Sequence, residues 1–238
     1  MIKIKRGMDL PIQGAPQQTI EEAPPARAVA LVGPDYVGMK PTMEVAEGDR
    51  VKAGQLLFTD KKTAGVRYTA PAGGIVSAIN RGARRVLQSV VIDVEGDASQ
   101  SFTAHSASEA RALDAQAIRE QLNEAGQWSA LRTRPFSRVP ALDSNAAAIF
   151  IAAIDTHPLA ADPSLIIAAE AEAFALGQDL LSKLTAGPVY LCSAPGVSLP
   201  QGQAKNLQVA EFGGPHPAGL AGTHIHFLEG GVTASKVV

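Results

Sequence analysis

The sequence is poor in features that mark several large protein classes. It has a single cysteine, Cys192, so no internal disulfide can form, which is typical of a reducing compartment. Aromatic residues make up 5% of the chain, too few for a platform on which bases stack. The 21 basic and 23 acidic residues nearly balance at a net charge of -2, so there is no electrostatic footprint for nucleic acid.

Long hydrophobic runs are also missing. The longest apolar run, residues 146–154, is far shorter than the ~20 residues that a membrane-spanning helix needs. Residues 1–6 alternate apolar and basic side chains without an apolar core segment, which predicts a strand and not a signal peptide. Hydrophobic residues nevertheless make up 46% of the chain, which supports a sizeable folded core.

The first hundred residues have the pattern of β structure. Short apolar runs alternate with Gly, Pro and Asp turn signals, and the runs cover residues 27–32, 54–58, 74–79 and 86–94. Strands at this spacing predict a small barrel or sandwich.

A helical pattern follows. Ser106 and Glu109 have the spacing of a capping box, Asp114 is a second candidate cap, and Gly126 is a natural stop. A strand at residues 146–154, an alanine-rich helix at 164–183, and strands at 189–193 and 207–212 then predict a βαβ unit with a parallel sheet.

These patterns predict an α+β chain of two modules. Residues 1–102 would form a β-rich domain that includes the N-terminal strand, and residues 103–228 a Rossmann-like α/β domain. Residues 229–238 would begin a further region, since residues 233–238 have the character of a new strand.

Residues 45–56 and 70–76 resemble the two halves of a biotinyl/lipoyl-type barrel-sandwich hybrid, with glycine turns at related positions. In carrier domains the loop between the halves presents a modified lysine, and here that loop holds Lys61 and Lys62. The Met-Lys-Met of biotin carriers is absent. An exposed, unmodified hairpin over Asp60, Lys61 and Lys62 is therefore favoured over a covalent cofactor.

Several histidines and carboxylates are candidates for a site. His216, His224 and His226 follow a glycine-rich stretch; on a strand, His224 and His226 would share a face, a geometry that zinc could use. Neither carboxylate nor cysteine stands at ligand spacing, so histidines that hydrogen-bond a loop or an interface are favoured over a metal site.

A second group of candidates, Asp155, His157 and Asp162, follows the predicted strand at 146–154. Open α/β sheets bind ligands at the carboxyl ends of their strands. No complete phosphate loop, dinucleotide fingerprint or nucleophile elbow is present, and Cys192 lies in an apolar strand as a core residue. The sequence thus predicts neither catalytic residues nor a metal centre.

Three blocks of sequence together carry a family resemblance: residues 84–92, 127–140 and 214–226. They resemble the NqrA family, a subunit of the bacterial sodium-translocating NADH:quinone reductase, and the similarity extends over essentially the whole chain. Members of that family continue with a ubiquitin-like module and a helical region, so the resemblance implies a C-terminally truncated form.

The resemblance implies a peripheral subunit on the cytoplasmic side of the inner membrane, in a complex that passes electrons from NADH to ubiquinone and pumps sodium. It also implies a barrel-sandwich hybrid followed by a Rossmann-like domain similar to the complex I flavoprotein subunit. Two alternatives remain: a biotinyl/lipoyl-type carrier or carrier-docking protein, and a stand-alone oxidoreductase related to complex I.

The resemblance also bears on ligands. In the complex I relatives a glycine-rich loop cradles the flavin phosphate, whereas residues 128–140 here contain no glycine, so we expect neither flavin nor NADH on this chain. The complex as a whole uses NADH, flavins, ubiquinone and sodium. Ubiquinone is a candidate ligand, and the candidates for a quinone site or an interface are Asp155, His157, Asp162, His216, His224 and His226.

The remaining candidates are basic. Arg132, Arg134 and Arg138 are interrupted by Pro135 and Phe136, which predicts a loop in which each guanidinium needs a partner. Internal pairing with Asp or Glu is one alternative. Contact with other subunits or with anionic lipid is the other, because Arg forms bidentate contacts with carboxylate and phosphate.

Overall fold

A computed structural model describes residues 1–233 and 236–238. The chain divides into two compact units. The parallel unit comprises Met1–Glu22, Ala107–Ala112 and Asn145–Val238, and the antiparallel unit comprises Ala23–Ser106 and Leu113–Ser144. Each is described by itself.

The antiparallel unit is built from two sheets of short strands. One sheet has the order β2-β8-β7-β4, from β2 (Ala28–Val32), β8 (Leu87–Val94), β7 (Gly74–Arg81) and β4 (Arg50–Val51). The other has the order β3-β5-β6, from β3 (Pro41–Met43), β5 (Leu56–Asp60) and β6 (Arg67–Thr69). The strands predicted at 27–32, 54–58, 74–79 and 86–94 are confirmed.

Apolar side chains from both sheets form the core of this unit. Leu57, Phe58, Val76, Val90 and Ile92 are fully buried. They come from β5, β7 and β8. Val90 and Ile92 share a face of β8 by period-2 alternation, whereas Leu57 and Phe58 are consecutive and lie where the pairing of β5 with β6 shifts register. The result is the predicted small barrel or sandwich.

Helix α2 (Ala115–Glu124) closes the antiparallel unit. Its N-cap is Asp114, whose side chain accepts from Ala117 N at 2.8 Å, and Gly126 lies beyond its end in the left-handed region. Asn123 near its C-terminus accepts from Arg67 N and donates to Gly65 O, at 3.0 and 2.9 Å. The helix is thereby tied to the β5–β6 hairpin.

The parallel unit holds one sheet with the order β1-β11-β10-β9. Its strands are β1 (Ile2–Lys3), β9 (Ile149–Ala153), β10 (Val189–Ser193) and β11 (Leu207–Gly213). All neighbours are parallel: Val189 is paired with Ile149 and Leu207, and Ile2 with Phe212. Every residue of β10 is buried, as expected for a central strand with both faces covered.

Helices cover this sheet: α1 (Ala107–Ala112), α3 (Pro163–Ala169), α4 (Ala171–Ser182) and α5 (Ala221–Glu229). The single helix predicted at 164–183 is wrong, because the chain leaves helical geometry at Glu170, with φ -128 and ψ 43. Ile167 of α3 and Phe174 of α4 pack against the same cluster of Ala153, Leu191 and Leu199. Both helices therefore dock on one core.

The predicted domain boundaries differ from the compact units. Strand β1 pairs with β11 in the parallel sheet, so the N-terminal strand does not belong to the β-rich module as expected for 1–102. Residues 113–144, expected within 103–228, join the antiparallel unit. Pairing of β1 with a strand about two hundred residues away is a long-range contact that local patterns do not encode.

The predicted strand at 233–238 includes Ala234 and Ser235, which lie outside the described residues; Thr233 and Lys236 form an isolated bridge. Within the described residues, none of the helices combines the length and apolar character required to cross a bilayer.

Candidate functional site

The carboxyl edge of the parallel sheet brings an aspartate and two histidines together. Strand β9 ends at Ala153, and in the loop that follows Asp155 Oδ1 accepts hydrogen bonds from His157 N at 2.8 Å and from His157 Nδ1 at 2.6 Å. The imidazole of His157 lies 5.1 Å, ring centre to ring centre, from that of His216, which follows β11. The two parallel strands therefore deliver their side chains to one place, as their parallel direction requires.

Thr156 connects the two loops. Its Oγ1 accepts from Gly219 N at 2.9 Å and lies 3.0 Å from His216 Nδ1, and its carbonyl oxygen is 3.2 Å from the same nitrogen. Either the hydroxyl donates to Nδ1 or the ring N–H donates to the carbonyl, depending on the tautomer. Nδ1 is engaged in both cases, which leaves Nε2 as the ring nitrogen of His216 without a hydrogen-bond partner among the described residues.

The N-terminal segment is tied to this edge. Asp9 Oδ1 accepts from His216 N at 2.8 Å, Met8 N donates to His216 O at 2.9 Å, and a Cβ at Gly7 would lie 2.0 Å from His216 O. Further along, Gln18 accepts from Asp162 N at 2.8 Å. Residues 7–18 thus hold both the β9 and the β11 loops.

The glycine-rich loop after β11 packs against the chain itself. A Cβ at Gly214 would lie 2.2 Å from Ile4 O, and one at Gly219 would lie 2.6 Å from Thr156 N. The absent side chains let backbone approach backbone. In a phosphate-binding loop the same freedom lets the backbone approach a ligand.

The chemistry available here is proton exchange with a polar ligand atom. The hydrogen bonds from His157 hold the pKa of Asp155 below its ordinary value, so this carboxyl is ionised at neutral pH and orients the His157 ring. Neither His157 Nε2 nor His216 Nε2 has a hydrogen-bond partner in the part of the chain that the structure describes. Among those residues no cluster of three metal-ligating side chains occurs.

Three candidates from the sequence, Asp162, His224 and His226, do not join the cluster of Asp155, His157 and His216. Asp162 is the N-cap of α3, where its carboxylate accepts from Ser164 N at 2.9 Å. The strand on which His224 and His226 would share a face does not form, because both residues lie on helix α5. His224 is fully buried, 4.3 Å from the Phe212 ring, with Nε2 donating to Ala218 O, whereas His226 is exposed beside Phe227.

The arginines of the antiparallel unit lie in a loop, as predicted. Arg132 donates to the carbonyl oxygens of Ser129, Leu131 and Asp35, and its guanidinium lies 5.2 Å from the centre of the Tyr36 ring.

Arg134 donates to Thr133 O and Ser137 Oγ, and Arg138 lies over Phe136. The alternative of internal ion pairing is wrong for these side chains, since the described residues give none of the three arginines a carboxylate partner.

The hairpin between β5 and β6 exposes Lys61 and Lys62, as expected. The expectation that Asp60 is exposed is wrong. It is 4% exposed, and its Oδ1 accepts hydrogen bonds from Lys40 N and Lys62 N at 2.9 and 2.8 Å. Cys192 is a core residue, as predicted, and burial raises the pKa of its thiol to about 12.

Sequence reasoning missed Thr156, Asp9 and Gln18. Thr156 could have been found from its position between Asp155 and His157. Asp9 and Gln18 had no local signal, because they are separated from their partners by 207 and 144 residues.

Comparison with known families covers both parts of the chain. A model for the NqrA second alpha/beta domain matches residues 113–238, and one for the NqrA N-terminal barrel-sandwich hybrid domain matches residues 2–95. The chain belongs to the NqrA family. The NqrA match confirms the α+β fold class with its barrel-sandwich hybrid.

Curated relatives agree with the NqrA assignment. The chain is 59% identical over 238 residues to the NqrA subunit of the Na(+)-translocating NADH-quinone reductase of Saccharophagus degradans, covering 100% of this chain and 53% of the relative. It is 58% identical over 229 residues to the protein of the same name from Pseudomonas aeruginosa strain PAO1, covering 96% and 51%. The chain thus spans about half the length of these NqrA relatives, and nothing in the comparisons supports a carrier.

Proposed function

We propose that this chain is part of the NqrA subunit of a sodium-translocating NADH:quinone reductase. It supports electron transfer from NADH to ubiquinone, coupled to sodium export, as a peripheral part on the cytoplasmic side of the inner membrane. The observation that carries the proposal is the identity of 59% over all 238 residues with a protein of that name.

We further propose that the chain itself holds no flavin. Residues 128–140 contain no glycine, and Trp128 is buried with Nε1 donating to Pro140 O at 2.8 Å, so this segment is filled by its own side chains. At the carboxyl edge of the parallel sheet, a Cβ at Gly214 would lie 2.2 Å from Ile4 O and one at Gly219 would lie 2.6 Å from Thr156 N, so these glycines face the chain's own backbone. Both observations support a chain without flavin, because a flavin phosphate needs open backbone.

Ubiquinone is the ligand we assign to the Asp155, His157 and His216 cluster. A quinone that is reduced takes up protons at its two carbonyl oxygens, and two unpartnered Nε2 atoms beside an ionised carboxylate suit that chemistry. The side chain of His157 is 59% exposed, so the edge is accessible from solvent.

A chimaera tests the assembly proposal. In the Saccharophagus degradans complex, the half of NqrA that matches this chain is replaced by these 238 residues. We expect the chimaera to co-purify with the other subunits and to retain sodium-dependent NADH:quinone reductase activity. A chimaera that accumulates as a folded protein but does not co-purify would contradict the proposal, and a complex with that half deleted is the control.

A visible absorbance spectrum of the purified chain tests the flavin proposal independently. We expect no flavin absorbance after gel filtration. Flavin retained in near-stoichiometric amount would refute the flavin proposal and favour an oxidoreductase related to complex I. In a separate measurement of intact mass, an added mass at Lys61 or Lys62 would favour a carrier.

A further inference from the structure

The hairpin that joins β7 to β8 ends in two arginines with an unusual backbone. Arg84 and Arg85 have φ of 55° and 60°, and Val86 N donates to Ala83 O at 3.3 Å, so the arginines are the central pair of a turn in the left-handed region. Turns of this kind favour Asn and Gly, because a Cβ is strained there. Both arginines are exposed, and among the described residues neither guanidinium has a carboxylate partner. The fold does not account for arginine at these two positions.

This hairpin tip adjoins the loop of residues 131–138, the arginine loop, through the turn after β2. A Cβ at Gly33 would lie 2.0 Å from Leu87 O, which places the turn against the base of the tip. Further along the same turn, Arg132 donates to Asp35 O, and the Gly38 Cβ position is 3.5 Å from Arg138 Nε. A continuous surface therefore runs from the tip to the loop within the antiparallel unit.

Six arginines lie on this surface, which we name the arginine strip: Arg81, Arg84, Arg85, Arg132, Arg134 and Arg138. The three segments that form it, residues 32–38, 81–87 and 131–138, contain one acidic residue, Asp35, in a chain whose net charge is -2. The basic charge is therefore concentrated and not part of a general excess.

Exposed apolar side chains alternate with the arginines. Val37, Val86 and Phe136 are 50%, 62% and 63% exposed, each at a turn or loop tip. Isolated apolar side chains among guanidinium groups match the boundary of a bilayer, where phosphates lie beside acyl chains. A bilayer offers phosphates and an apolar layer side by side over its whole surface, as this spacing of arginines and apolar side chains requires.

We propose that the arginine strip docks this chain onto an anionic phospholipid bilayer. The exposed guanidinium groups of the strip bind lipid phosphates, whereas Arg132 and Arg134 donate within their own loop. Val86 and Phe136 enter the headgroup boundary. The inference goes beyond the proposed function, since it assigns a lipid-facing surface that assembly with other subunits does not require.

Vesicle sedimentation of the full chain tests the proposal. We expect binding to vesicles of phosphatidylcholine and phosphatidylglycerol in a ratio of about two to one, weak binding to phosphatidylcholine alone, and release by high salt. The variant Arg84→Asn with Arg85→Gly should bind about 30-fold more weakly and melt at a higher temperature, because the new residues suit the turn. The matched control, Arg27→Asn with Lys52→Gln, also removes two positive charges but lies away from the strip, and should bind as the parent chain does.

A second variant, Val86→Ser with Phe136→Ser, keeps the charge and should weaken binding about tenfold. Equal binding to neutral and anionic vesicles, parent-like binding of the arginine variant, or an equal loss in the control would each overturn the proposal. Absence of vesicle binding together with retention on another subunit would assign the strip to a protein interface instead. The reductase activity of the chimaera is a separate readout, so the two proposals can fail independently.

Discussion

Arg111 Nε donates to Asp179 Oδ2 over 2.8 Å and joins α1 to α4, although 68 positions separate the two residues along the chain. Asp179 is 6% exposed, and its other oxygen accepts from the backbone N–H groups of Gln203 and Ala204. One carboxylate thus links two helices and the loop before β11. A buried charge that accepts three hydrogen bonds in this way is costly to disrupt.

Asp179→Ala should therefore lower the free energy of unfolding by about 3–5 kcal/mol, because it leaves a guanidinium and two N–H groups without their acceptor. Urea denaturation measures the effect. The matched control is Arg50→Ala, which breaks an ion pair with Glu95 of equal length, 2.8 Å, whose side chains are 66% and 49% exposed. That change should cost less than about 1 kcal/mol. Similar losses in the two variants would contradict the network.

His224 should make the stability of the chain depend on pH. Burial lowers the pKa of this histidine below its ordinary value of 6.5, and its Nδ1 has no partner among the described residues. The unfolded chain then binds a proton more readily than the folded chain just below pH 6.5. Above pH 6.5, His224 does not change the free energy of unfolding with pH. As the pH falls from there towards the pKa of the folded state, the free energy of unfolding decreases.

Urea denaturation at a series of pH values checks this expectation. His224→Leu should flatten the decline below neutral pH, at a cost of about 1 kcal/mol at neutral pH because Ala218 O loses its donor. His226→Gln, at the exposed histidine of the same helix, should keep the parent's pH dependence. The lowered pKa values of Asp155 and Glu229 act in a more acidic window, so they do not produce this decline. A decline that survives in His224→Leu would refute the assignment.

Gly126 should tolerate no side chain. Its φ is +77°, and a Cβ would lie 2.1 Å from Thr69 Oγ1, where β6 meets the end of α2. Gly126→Ala should cost about 3 kcal/mol, from backbone strain and overpacking together. Gly48→Ala separates the two contributions, because Gly48 has φ +91° with nothing within 4 Å of its Cβ position. It should cost only about 1 kcal/mol. Equal costs in thermal or urea unfolding would show that Thr69 moves aside.

The site histidines should affect quinone and not assembly. In the chimaeric complex, His157→Gln and His216→Gln should each raise the KM for a soluble ubiquinone about tenfold, since a lost hydrogen bond to a ligand is worth about 1.4 kcal/mol. Steady-state kinetics at saturating NADH measure this, with the yield of complex as the second readout. His226→Gln is the control. An unchanged KM in both site variants would remove quinone from this edge.

Local patterns predicted most of the strands because turn residues and apolar runs mark them directly. The run at 189–193 is bounded by Gly187-Pro188 and is buried throughout, so its place in a parallel sheet followed from composition. Asp155 and His157 were found for a related reason, since a polar residue directly after such a strand must lie at its carboxyl edge. Asp114 and Gly126 marked α2 through the chemistry of capping.

Alternation is a misleading signal at His224 and His226. The stretch from His224 to Phe227 alternates polar and apolar residues as a strand does, but helix α5 forms there because it buries His224 and Ile225. Packing of the ring against Phe212 outweighs the weak local preference. The break between α3 and α4 at Glu170 also has no local signal in the sequence. Gly177 is the one glycine between Ser164 and Lys183, it lies away from the break, and that stretch contains no proline.

The sequence by itself determined which segments extend, where they turn and what family the chain resembles, because these depend on neighbouring residues. Only the tertiary structure decided which distant segments meet. It placed β1 beside β11, set Asp9 on the His216 loop, and joined residues 32–38 to the arginine loop. Each of these contacts closes a long loop of chain, and its free energy comes from burial and hydrogen bonds that exist only once the units have formed.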